Sequence, residues 1–154
     1  MVAHSLAFCL NELDSTVSVV DLTAPANRAE VSFTASTRHD IGLAAHAPSQ
    51  PSALRTMPDG ALITVQRGIN TVSRFRVDGV RLTLADEVPT GGDHPRDAIT
   101  FGSSTIVVAL RMSDSVRALD LATHASEELA EVRRPTCILE EPRQQQLEAW
   151  GRSW

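Results

Sequence analysis

The sequence predicts an all-β chain built from repeats of a four-stranded antiparallel unit. Three observations predict it: an internal repeat, short β-branched runs at fixed places within each repeat, and turn signals between those runs. The stretches Asn11–Leu22, Gln66–Val77 and Leu110–Leu121 align on Val17, Val72 and Val116, which lie 55 and 44 residues apart. A second marker gives the same shorter period, because Pro51-Ser52-Ala53 and Pro95-Arg96-Asp97 are also 44 residues apart, and Pro135-Thr136-Cys137 follows 40 later. A period of about 40–50 residues is that of one blade of a radial sheet array, so the expected architecture is a partial β-propeller of about three four-stranded antiparallel blades.

Each strand has its own reason. Ala61–Val65 and Thr105–Ala109 are apolar and β-branched, as strands buried on both faces should be. Thr71–Val77 and Ser115–Leu121 alternate more strongly, as half-exposed strands do. Met57-Pro58-Asp59-Gly60 is a turn signal, since Pro fixes φ and Gly accepts positive φ. Arg81–Val88 reads as an outer strand. One unit therefore has strands near Pro51, Leu62, Val72 and Leu84. The longer first spacing places an insertion of 11 residues around Ser36–Gln50, read as a loop on one face of the array. The last segment, 140–154, is read as a tail, either disordered or a short helix, outside the repeat region 1–139.

Composition limits the function classes. The net charge is −5, and all 14 basic residues are Arg, with no basic cluster to grip phosphate backbones, so nucleic acid is not expected as a partner. No run approaches the roughly 18 apolar residues of a membrane span, and no secretory pattern opens the chain, so no membrane role is expected and a cytoplasmic location is the default. Cys9 and Cys137 sit in apolar runs without ligand spacing and read as small buried hydrophobes. His39, Asp40 and His46 fit no metal-ligand spacing and read as a solvated loop; neither a metal nor another cofactor is expected.

The order of short motifs resembles the bacterial lactonase family with 6-phosphogluconolactonase activity. Asn11-Glu12-Leu13 before Ser15-Thr16-Val17 carries the resemblance, as do Pro58-Asp59-Gly60, Arg67-Gly68 and Phe75-Arg76-Val77-Asp78. So do Gly91-Gly92 with Pro95-Arg96-Asp97, Ser113-Asp114-Ser115-Val116, and Pro135-Thr136-Cys137 as a closing strand. The resemblance spans about residues 6–139 and implies a seven-bladed propeller of which this chain matches the carboxy-terminal part. It departs from the family pattern at Gln66 (usually Asn), at Ala53 (usually acidic), at Gly102-Ser103-Ser104 in place of the Pro-Asp-Gly turn, and at Ala109-Leu110-Arg111 in place of Ala-Asn-Gln.

By that resemblance Glu12 matches a catalytic Glu and Arg67 a catalytic Arg. Arg96, at the equivalent start of the next unit, and His94, next to Asp93 and Arg96, are expected to touch substrate. The repeat supports this independently. Glu12 and Arg67 occupy equivalent positions at the ends of successive inner strands, so they should lie side by side on one rim. A carboxylate can activate water there, and a guanidinium can hold an anion or oxyanion by a bidentate fork. The expected function is a lactonase-like hydrolase acting on a small-molecule sugar lactone such as 6-phosphogluconolactone. The alternatives are a non-catalytic propeller fragment serving as a binding module, and a muconate cyclase-like isomerase. The partial ring also predicts self-association or a chain that completes it.

Overall fold

The computed structural model describes residues 5–13, 15–23, 28–32 and 49–141. Eleven antiparallel strands form three sheets among these residues. The first sheet pairs β1 (Leu6–Asn11), β2 (Thr16–Asp21) and β3 (Arg28–Ser32). The second runs β4 (Gln50–Thr56), β5 (Leu62–Arg67), β6 (Thr71–Asp78) and β7 (Arg81–Pro89). The third runs β8 (Pro95–Phe101), β9 (Thr105–Leu110), β10 (Ser115–Asp120) and β11 (Ser126–Glu131). Each sheet is a meander, in the order that two-residue-period strands joined by tight turns produce. The first sheet has three described strands rather than the expected four, because β1 is the counterpart of β5 and β9, the second strand of the unit. The registers confirm the repeat residue by residue: Asn11 faces Thr16, Gln66 faces Thr71, and Leu110 faces Ser115.

Alternation sorts the side chains into two cores. Between the first and second sheets lie Val17, Val19, Leu62, Phe75 and Leu82, with Leu6, Phe8, Leu10 and Leu54 packed against them. Between the second and third lie Ile63, Val65, Val72 and Val88 against Ala98, Ile106, Val108, Leu110 and Leu119. Strand β5 is buried along its whole length, including its polar residues Thr64, Gln66 and Arg67.

A repeated clamp ties each sheet to the next. The residue just before the third strand of each unit, Ser15, Asn70 or Asp114, has φ of 53°, 57° or 50°, the left-handed region that Asn and Asp tolerate best. In each unit this residue reaches the chain segment that follows its own sheet, around Ser49, around Asp93 and His94, or at Arg134. The Ser15 hydroxyl donates to the Ser49 carbonyl. Asn70 donates to the Asp93 carboxylate (2.9 Å) and accepts from the His94 peptide N–H (3.0 Å). The Asp114 carboxylate accepts from the Arg134 N–H (2.8 Å).

Three expectations need correction or lie elsewhere. Cys9 and Cys137 are exposed, not buried. Cys9 alternates with Phe8 and Leu10, which face the core, so its thiol takes the opposite face of β1. Cys137 lies beyond the last strand beside the Asp97 carboxylate, whose hydrogen bond and charge push the thiol pKa up. Pro135–Leu139 is not a strand here; its tie is the Ile138 N–H, which donates to Asp97 Oδ2 at 3.0 Å. The insertion at Ser36–Pro48, with His39, Asp40 and His46, and the tail from Pro142 lie outside the described residues.

Candidate active site

Arg67 ends the buried strand β5, and its side chain is only 8% exposed. A buried guanidinium needs a partner, because desolvation of an unpaired charge costs several kcal/mol or more. It has two. Its Nη2 binds the Glu12 carboxylate, and its Nε donates to the Gln50 carbonyl at 3.4 Å. Glu12 sits in the turn after β1 with its side chain 53% exposed, so one flank of the pair faces solvent. The expected neighbourhood of Glu12 and Arg67 is thus present as a direct ion pair across two sheets.

Beneath the pair lies a polar network. Gln66 is fully buried and accepts from the Ser49 hydroxyl through Oε1. Its Nε2 donates to Thr64 Oγ1 (3.2 Å) and Ser73 Oγ (3.4 Å). Asn11, the equivalent residue one unit earlier, donates to Thr16 Oγ1 (2.8 Å) and Ser18 Oγ (2.7 Å). Gln66 therefore supplies the same kind of support as the Asn it replaces.

His94 lies beside this centre. Its φ of 59° is left-handed, and its N–H is held by Asn70, which follows Arg67 by three residues. Burial first, and then the guanidiniums of Arg67, Arg96 and Arg111, push the imidazole pKa down, against the opposing charge of Asp93. Four cationic or basic side chains therefore share one electrostatic neighbourhood. Arg96 sits at a β-bulge, where the register slips between Pro95 and Asp97; the same slip occurs between Pro51 and Ala53 one unit earlier. Bulges re-aim side chains. Ser52, at the earlier bulge, donates to the Pro95 carbonyl at 2.6 Å. Arg96 instead has a buried Nε with no hydrogen-bond partner among the described residues.

The family described as "Lactonase, 7-bladed beta-propeller" matches residues 2–140. The chain belongs to this lactonase family. No curated protein matches it. Among solved structures it is similar to the periplasmic gluconolactonase of Pseudomonas aeruginosa, with a TM-score of 0.66 and 22% identity over 86% of this chain and 38% of that one. A candidate 6-phosphogluconolactonase of Bacteroides fragilis gives a TM-score of 0.63 and 24% identity over 88% and 39%. A protein of Lactobacillus plantarum gives 0.61 and 27% over 85% and 39%. The chain thus spans under two-fifths of the length of these structures. They establish the propeller-blade fold.

In this lactonase-family chain the structure brings Arg67 onto Glu12 and His94 into the field of Arg67 and Arg96. Sequence reasoning missed Arg111, Gln50 and Asn70 as parts of the same rim. Arg111 was accessible from the repeat, since it stands 44 residues after Arg67. Gln50 contributes a backbone carbonyl, which no side-chain pattern announces. Among the described residues no group of three or more His, Cys, Asp or Glu could hold a metal ion. No helix there is long and apolar enough to cross a membrane.

Proposed function

We propose that this chain carries the catalytic rim of a hydrolase acting on a sugar lactone such as 6-phosphogluconolactone, without a metal. The Glu12–Arg67 ion pair is the observation that carries this reading. A lactone is a strained ester, and its hydrolysis needs a base for water and a cation for the developing oxyanion. Glu12 is solvent-accessible on one side and takes the proton as water oxygen bonds to the carbonyl carbon. The carbonyl electrons move to oxygen, which Arg67 stabilises. They return as the ring C–O bond breaks, and the ring oxygen leaves with the electron pair and recovers the proton from Glu12. The product is the open hydroxy acid. His94, held neutral by its surroundings, and Arg96 line the approach and contact the substrate.

Lactone opening consumes water and releases an acid, whereas a muconate cyclase-like reaction does neither. The test is proton release from freshly dissolved glucono-1,5-lactone and its 6-phosphate, measured against the buffer rate, with muconate cyclisation followed in parallel by ultraviolet absorbance. Acid release above the buffer rate, without cyclisation, supports the reading. Cyclisation without acid release contradicts it.

A further inference from the structure

The repeat that aligns Glu12 with Arg67 has a third member, Arg111, which directly follows β9 as Glu12 follows β1. Its backbone position mirrors that of Arg67. Gln50 faces Arg67 across the β4–β5 ladder, and in the third sheet the Arg111 N–H donates to the His94 carbonyl at 3.1 Å. The two arginines differ in what their side chains do. The Arg67 guanidinium binds Glu12 through Nη2 and the Gln50 carbonyl through Nε. The Arg111 guanidinium has no ion pair or hydrogen bond among the described residues, and the buried Arg96 Nε is also unpartnered. Of the carboxylates nearby, Glu12 is paired with Arg67, while Asp93, held by the neutral Asn70 amide, offsets only one of the two remaining arginine charges. The rim therefore holds more positive charge than its own residues neutralise, and the excess lies on the Arg96–Arg111 side of the Glu12–Arg67 pair.

We infer that Arg111, with Arg96, is a specificity-determining residue that receives a second anionic group of the substrate, a phosphate or carboxylate arm remote from the lactone ester. This deepens the hydrolase reading and rests on it. Neighbouring sheets stand about 10 Å apart, so a six-carbon sugar acid can place its ester carbon at Glu12 and Arg67 and its far end near Arg111. A planar guanidinium fork suits either oxyanion. His94 reports the occupancy. An anion beside Arg96 and Arg111 offsets the charge that, with burial and Arg67, depresses the imidazole pKa, while Asp93 stays constant. Anion binding therefore raises the His94 pKa and takes up protons where the pH lies between the imidazole's pKa in the free and the bound protein.

The test uses the full chain and three acids as probes: gluconate with one carboxylate, glucarate with two, and 6-phosphogluconate with a carboxylate and a phosphate. Affinity is read by titration calorimetry, and the His94 imidazole is followed by NMR across pH. The expected result is binding of glucarate or 6-phosphogluconate about tenfold tighter than gluconate, the scale of one charge-assisted contact, with an upward shift of the His94 titration. Which of the two binds better tells carboxylate from phosphate. Arg111→Gln should abolish the preference and remove most of the His94 shift, and Arg111→Lys should restore part of each. No binding by any acid, equal affinities in the wild type, or a preference that survives in Arg111→Gln overturns the inference. Acid release from sugar lactones that persists in any of those cases leaves the hydrolase reading standing, so the two failures are distinguishable.

Discussion

Arg67 reaches from the end of β5 across the gap between two sheets and binds the carboxylate of Glu12, its counterpart one repeat earlier. Neither residue has this partner by local sequence; the repeat brings them together. Removing the carboxylate would leave a nearly buried guanidinium with only the Gln50 carbonyl. Removing the guanidinium would release an already half-exposed carboxylate to water. The pair is therefore asymmetric. Glu12→Ala should destabilise the chain by about 2–3 kcal/mol, and Arg67→Met by clearly less, because a methionine of similar length suits the buried stem. Urea denaturation of the two variants checks the order, and equal losses would contradict it.

Asn70 holds the entry to β8 with two hydrogen bonds while sitting at positive φ. Asn70→Gly keeps the backbone conformation and removes both bonds. It should lower stability by only about 1 kcal/mol but loosen His94. The expected signature is a rise in KM for a sugar lactone with a fall of only a few degrees in melting temperature. An unchanged KM would show that the clamp does not position the site.

Gln66 is buried amid Ser49, Thr64 and Ser73, whereas its counterpart in the third sheet is Leu110. Gln66→Leu copies that apolar solution without changing the polar neighbours. Three hydroxyls lose a partner, so the variant should lose about 1–3 kcal/mol despite the added hydrophobe. A stabilised variant in thermal unfolding would refute the network's role.

Acid should act through the turn carboxylates. Asp120 accepts from the Thr123 and Ala122 N–H groups, both at 2.8 Å, and these bonds hold its pKa below the ordinary aspartate value. A depressed folded-state pKa means that the stabilisation is complete above the unfolded value and is lost as pH falls through the folded one. The melting-temperature gap between wild type and Asp120→Asn should therefore be largest near neutral pH and shrink towards pH 3. A gap independent of pH would contradict this assignment.

The third sheet buries Ala98, Ile106, Val108 and Leu110 against the second. By alternation its other face carries Ile99, Phe101 and Val107, and Phe101 is 50% exposed. An apolar sheet face of this kind favours association. Sedimentation velocity should show a mass that rises with concentration, reduced by Phe101→Ser. A concentration-independent monomer would contradict the expectation.

Much of the fold was legible because a propeller repeats its physics. The 44-residue period, the buried run at β5 and the Pro-Asp-Gly turn each place a strand. The cysteines were misread because composition around Cys9 does not say which face of a strand a residue takes, and Phe8 and Leu10 took the core. The run at Pro135 looked like a strand, but strand formation needs a neighbour's backbone as well as β-branched residues. Of the site, Glu12 and Arg67 were legible from motif and period together. Arg111 belongs to the rim by its period and not by any motif, and the Gln50 carbonyl and the left-handed φ of Asn70 are backbone features that side-chain patterns do not encode.

If Glu12 is the base that activates water for lactone opening beside Arg67, Glu12→Gln removes that base. The amide keeps the shape and can still accept a hydrogen bond from Arg67, but it cannot take a proton. The measurement is the initial rate of acid release from a sugar lactone above the buffer rate, for wild type and variant, with matched circular dichroism. The rate should fall by about 100-fold or more in the variant, the scale of a lost general base. A variant that hydrolyses the lactone as fast as the wild type would contradict it.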